Sequence, residues 1–287
     1  MSVRTTLSDS YSIVKSSWSK ETTYLISFGL LMGIIILPFA FLVAIAAVGV
    51  EETVNNPFDM GLFFWESIFL LVLVSNLFIL MSIGMMQKIG NDRRTGKVDD
   101  METLIKHPFQ KGRFGSFVLL SLLTTVIFLI AGGIFIGIDL LFNITENNVV
   151  WANIVLTFFE VITFLLLTPP LIFASRQIIT DKSRRDAFMN GWREYGRRFS
   201  NATAVNIVAF LPIAAVIALI TFAGLAISWV GDEETALNLA YILGLSFVII
   251  IAGLAILFVM LPYYVITVGN SHHEETPPPT TPTGLAG

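Results

Sequence analysis

Residues Asp181 to Ser200 read DKSRRDAFMNGWREYGRRFS, a basic amphipathic helix that leads straight into an apolar run. Phe188, Trp192, Tyr195 and Phe199 recur at steps of 4, 3 and 4, one stripe of an α-helix, while Arg184, Arg185, Arg193, Arg197 and Arg198 occupy other faces. This pattern predicts a helix lying on a membrane surface. The stripe occurs twice more, as Leu7, Tyr11, Val14 and Trp18 and as Val98, Glu102, Ile105 and Phe109. Only Glu102 interrupts it, and Met101 beside it covers the gap. Two long apolar runs follow each copy. The chain therefore reads as three repeats of surface helix, span, span, with a period of about 90 residues.

Composition agrees with a membrane solvent. Of 287 residues, 55% are apolar and 13% charged, where a soluble domain carries about a quarter charged residues. The expected fold is an all-α integral membrane protein with six transmembrane helices in one membrane domain. Unit one covers 1–86 with spans over 24–50 and 61–86, and unit two covers 87–174 with spans over 114–142 and 149–174. Unit three covers 175–270 with spans over 204–230 and 237–268. Each run exceeds the ~20 residues that cross a ~30 Å hydrocarbon layer. Residues 271–287, SHHEETPPPTTPTGLAG, carry no apolar stripe and read as a disordered tail.

Basic residues segregate completely between alternate connections. Three lie before the first span, seven between the second and third, and seven between the fourth and fifth, which accounts for all 17 Lys and Arg. The positive-inside rule then places both termini and all three surface helices in the cytoplasm of a multi-pass protein of the cell membrane. Basic side chains near an anionic leaflet are attracted by ~1 kcal/mol each. Arg93, Arg94, Arg184, Arg185, Arg193, Arg197 and Arg198 are the expected contacts to anionic phospholipids. The aromatic residues form a buried-type stripe and offer no stacking platform, so nucleic acid is not an expected partner. A protein partner or a second copy of the chain is the other class that such helices admit.

Glu160 lies about 11 residues into the fourth span, ~16 Å along a helix and close to the bilayer midplane. With Asn153 and Thr157 it forms a polar stripe expected to face the bundle interior. The functional reading is a proton or cation site, and the bland one is a neutral acid bonded to a neighbouring helix. Glu66 and Asp139 sit near the outer ends of the second and third spans, where water reaches them, and are weaker candidates; only if the units pack around a common axis do they line an acidic vestibule with Glu160. Asn76, deeper in the second span, reads as interhelical glue.

Prolines occur inside four spans, at Pro38, Pro169 with Pro170, Pro212 and Pro262, and the Pro169-Pro170 pair is the best candidate for a helix break. Gly29 with Gly33 and Gly133 with Gly137 have the spacing that permits close helix approach. Neither HExxH, GxSxG nor GxxxxGK[ST] occurs, and the chain has no cysteine, so no catalytic residue is assigned. His272, His273, Glu274 and Glu275 are adjacent side chains that make a poor cage, so no metal or cofactor is expected.

Across Thr103 to Leu122, TLIKHPFQKGRFGSFVLLSL, and Arg185 to Leu211, RDAFMNGWREYGRRFSNATAVNIVAFL, the chain resembles prokaryotic, often archaeal, multi-pass membrane families of unknown function. It is also loosely similar to the membrane domain that accompanies some glycerophosphodiester phosphodiesterases. The resemblance covers the membrane part and implies architecture without activity. Two functions follow from the residues: a non-enzymatic protein organising lipid or a partner at the cytoplasmic leaflet, or a small-solute transporter coupling protons or cations through Glu160.

Overall fold

A computed structural model describes residues 3–48, 62–97, 99–110, 112–142, 149–180, 186–230, 244–249, 251–253 and 256–271. Its elements are α1 (Val3–Val48), α2 (Leu62–Arg94), α3 (Met101–Lys106), a 3-10 turn (His107–Phe109), α4 (Arg113–Phe142) and α5 (Val149–Thr180). Then come α6 (Ala187–Arg197), α7 (Phe199–Val230), a π-helical turn (Ile256–Met260) and α8 (Leu261–Asn270). No strand occurs among the described residues. Four of these helices, α1, α2, α4 and α7, are long and apolar enough to cross a membrane. The molecule is an all-helical membrane protein.

The first surface helix is not a separate element. α1 is a single helix of 46 residues, ~69 Å long at 1.5 Å per residue, because Ser19 to Thr23 contains neither the Gly nor the Pro that would end it. Its packed face also differs from the predicted stripe. Thr6, Ser10, Ile13, Ser17, Glu21, Tyr24 and Phe28 are buried at helical spacing, whereas Tyr11 and Trp18 are 62% and 48% exposed. Small hydroxyl side chains on that face let neighbouring helices approach closely, which is how helices associate where lipid tails already solvate apolar groups. Asn270 Nδ2 of α8 donates to Ser10 Oγ at 3.0 Å on this face.

α2 is the central helix. Phe78, Met81, Met85 and Ile89 pack with Tyr24, Phe28 and Met32 of α1, Phe117 and Leu120 of α4 and Ile178 of α5. Its other side brings Ile83 and Met86 to Ile172, Ala209, Tyr264 and Val268, tying in α5, α7 and α8. Gly84 is required here: a Cβ would sit 2.7 Å from Ile179 Cγ1 of α5. By contrast, nothing lies within 4 Å of a Cβ built on Gly29, Gly33, Gly133 or Gly137, so among the described residues those two spacings do not mark helix contacts. Spacing alone shows small faces, and their neighbours are set by tertiary packing.

The second surface segment is a six-residue helix, α3. Leu104 is its buried anchor, Glu102 faces outward and pairs with Lys106, and Met101 packs half-buried on the core, filling the gap that Glu102 leaves. In α6, the third segment, Gly191 is buried against the Pro170 carbonyl and Ala174 of α5. Tyr195 packs with Phe173 and Ala202, with Trp192 half-buried beside it. Most of this stripe meets protein, and Phe199 is 52% exposed.

α5 continues unbroken through Pro169 and Pro170. Proline has no N–H, so Pro169 leaves the Leu165 carbonyl, one turn back, without its helical donor. Asn206 Nδ2 of α7 donates to that carbonyl at 2.8 Å, and the Tyr264 hydroxyl of α8 donates to Asn206 Oδ1. A vacancy created by a proline thus becomes a joint between three helices.

Candidate functional site

Lys88, Arg93 and Lys97 lie at or just beyond the end of α2, where Lys20 of α1 joins them. Lys88, near the end of α2, donates to Asp92 one turn later and to Asp99 beyond the helix. Lys20 of α1 donates to the backbone carbonyl of Asp99. Between them the chain reverses at Gly96, whose φ of +70° lies in the left-handed region that glycine adopts without a Cβ penalty. Lys97 N then donates to Asp92 O at 2.9 Å, which closes the reversal. The Lys88 ammonium holds the Asp99 carboxyl below its ordinary range.

This clasp and α1 enclose a cavity of about 360 Å³, lined by Ser16, Ser17, Ser19, Lys20 and Thr23 on one side and Ile89, Asp92, Arg93, Lys97, Met101 and Leu104 on the other. Its donors are unequally available. Ser16 Oγ donates to Ile13 O at 2.9 Å and Thr23 Oγ1 to Ser19 O at 2.8 Å, so both hydroxyl protons serve their own helix. Among the described residues the Ser19 hydroxyl has no partner, and Arg93 and Lys97 have no ion pair. The lining carboxylate, Asp92, is already held by Lys88. An anion entering the cavity therefore meets Lys20, Arg93, Lys97 and Ser19 as donors and no uncommitted carboxylate.

His107 closes the same end from the other side. Its Nε2 lies 3.4 Å from Ile179 O of α5, and Arg113 Nη1 lies 3.3 Å from its Nδ1. Arg113 carries only donors, so Nδ1 accepts and the proton sits on Nε2, donated to Ile179 O. Partial burial, and then the Arg113 charge, push the His107 pKa below its ordinary value.

The structure sorts the residues that sequence reading put forward. Arg93 joins the cavity. Arg193 and Arg197 are exposed on α6, and the Arg198 N–H closes that helix on Tyr195 O at 3.1 Å. The side chain of Arg94, and Arg184 and Arg185 entirely, lie outside the described residues. Asn76 Nδ2 donates to Thr125 Oγ1 of α4 at 3.0 Å, a tie between two helices. Glu66 is exposed near the start of α2, while the side chains of Asn153, Thr157, Glu160 and Asp139, all on helical backbone, lie outside the described residues.

One acid went unmarked by the sequence. Glu21 of α1 is fully buried, its Oε1 accepts from Ser17 Oγ, and Oε2 has no hydrogen-bond partner among the described residues. Its place beside Lys20, just before an apolar run, resembles an ordinary interfacial charge. The signal that marks it is the Thr6, Ser10, Ser17, Glu21 spacing, a polar stripe at helical period.

No family model, curated protein or solved structure matches this chain.

Proposed function

We propose that this protein holds anionic phospholipid headgroups at the cytoplasmic leaflet, in a binding and organising role without catalysis. In this reading the chain crosses the cell membrane six times in three repeats, with both termini cytoplasmic. The observation that carries the reading is the cavity between α1 and α2, where Lys20, Arg93, Lys97 and Ser19 face space that no uncommitted carboxylate shares. A lipid phosphate supplies the missing counter-charge, and Arg in particular presents a planar fork suited to phosphate oxygens. The exposed Arg193 and Arg197 of α6 add a diffuse attraction that salt screens.

The test is lipid retention by the protein purified from nanodiscs of mixed phosphatidylglycerol and phosphatidylcholine, read by native mass spectrometry. Arg93→Gln with Lys97→Gln is expected to lower retained phosphatidylglycerol several-fold while leaving phosphatidylcholine unchanged. Arg193→Gln with Arg197→Gln should lower it only at low ionic strength. Equal retention by wild type and the Arg93/Lys97 variant would sink the proposal.

A further inference from the structure

A second concavity lies on the opposite side of α1, where Tyr11 and Trp18 are exposed, apart from the basic cavity. Pro262 sets it up. A proline has no N–H for the carbonyl four residues back and its ring crowds that carbonyl, and the backbone just before it, Ile256–Met260, is wound as a π-helical turn. α8 is pinned to α1 beyond this turn by Asn270 on Ser10 and by Ile266 packing on Ile13 and Val14. Between these fixed contacts and the widened turn, an apolar groove of about 420 Å³ opens between Tyr11, Val14, Lys15 and Trp18 of α1 and Val259, Met260 and Tyr263. Its lining is mostly apolar and aromatic, and its charged member, the Lys15 ammonium, is exposed and has no ion pair among the described residues.

We infer that this groove seats the upper acyl chain of one anionic phospholipid, with Lys15 on its phosphate. Three features select a lipid. The wall is α1, which continues from here as a membrane-crossing helix, so the groove runs into the hydrocarbon layer. Trp and Tyr side chains frame it, as they do at the level of lipid headgroups, where an apolar ring and a polar edge are both satisfied. Charge complementarity selects the anionic class, since Lys15 is the charged group on the rim. π-Turns concentrate at functional positions, and this one forms a wall of the groove.

Trp18 makes the occupant measurable. A variant keeping Trp18 and carrying Phe at Trp65, Trp151, Trp192 and Trp229 reports the groove alone, because these are all five tryptophans of the chain. In phosphatidylcholine nanodiscs, phosphatidylglycerol brominated on its upper acyl carbons should quench Trp18 at a several-fold lower mole fraction than equally brominated phosphatidylcholine. Lys15→Gln should abolish that preference, and Val259→Phe, which fills the groove without touching Lys15, should weaken quenching by both lipids. Equal quenching by the two lipids in the parent protein overturns the proposal, as does a preference that survives Lys15→Gln. A chain ending at Ser271 that gains quenching by both lipids equally would show that the chain's own tail covers the groove, which also overturns it.

Discussion

At the scale of single residues, His107 couples the connection between α2 and α4 to the end of α5. Its folded pKa is depressed by burial and then by Arg113, so its contribution to stability is present above the unfolded value near 6.5 and is lost as pH falls through the folded value. The melting temperature in detergent should therefore fall as pH drops below about 6.5, the ordinary histidine value, and His107→Gln should flatten that slope. An unchanged slope in the variant would assign the effect elsewhere. Glu21 supplies a sharper contrast. Glu21→Gln keeps the Ser17 contact and should melt within a few degrees of wild type, whereas Glu21→Lys places an ammonium in a fully enclosed position and should not fold. A Glu21→Lys protein that melts normally would refute the burial. His107 carried no sequence signal beyond its type, and the polar stripe that marks Glu21 does not by itself say that the side chain is enclosed, because burial of a single side chain depends on which helix lies over it.

Between elements, the joint at Pro169 and the seat at Gly191 hold the third surface segment and the last helices to α5. Asn206→Leu strands the Leu165 carbonyl, at about 1–3 kcal/mol for a buried group, and removes one partner of the Tyr264 hydroxyl. A clear loss of thermal stability is the expected result, and a neutral substitution would mean that water serves both partners. Gly191→Val should destabilise by about 1–3 kcal/mol through collision with Pro170 and Ala174, while Gly133→Ala, which meets nothing within 4 Å, should be neutral or slightly stabilising. The three basic segments share one apolar period in the sequence, yet they form three different things. One is the start of a 46-residue helix, one a six-residue helix, and one an eleven-residue helix packed on α5. Period fixes the presence of two faces. The partner that covers the apolar face, lipid or protein, is decided by helices far away in the chain.

For the whole molecule, orientation is directly testable because the chain has no cysteine to remove. Ser12→Cys and Thr95→Cys should react with an impermeant maleimide only from the cytoplasmic side, and Thr53→Cys only from outside. The reverse pattern would invert the placement of the basic cavity and with it the proposed function. Length and hydropathy determined by themselves that this is a helical membrane protein. Those are summed properties of segments, and a bilayer reads them segment by segment. Tertiary structure alone decided that α1 turns its hydroxyl face inward and leaves Tyr11 and Trp18 outward, that Glu21 is enclosed, and that Lys20, Arg93 and Lys97 share one cavity. The physical reason is that lipid solvates an apolar stripe as well as a protein core does. Hydrophobic period therefore cannot choose the packed face, and small side chains with hydrogen-bond partners on other helices choose it instead.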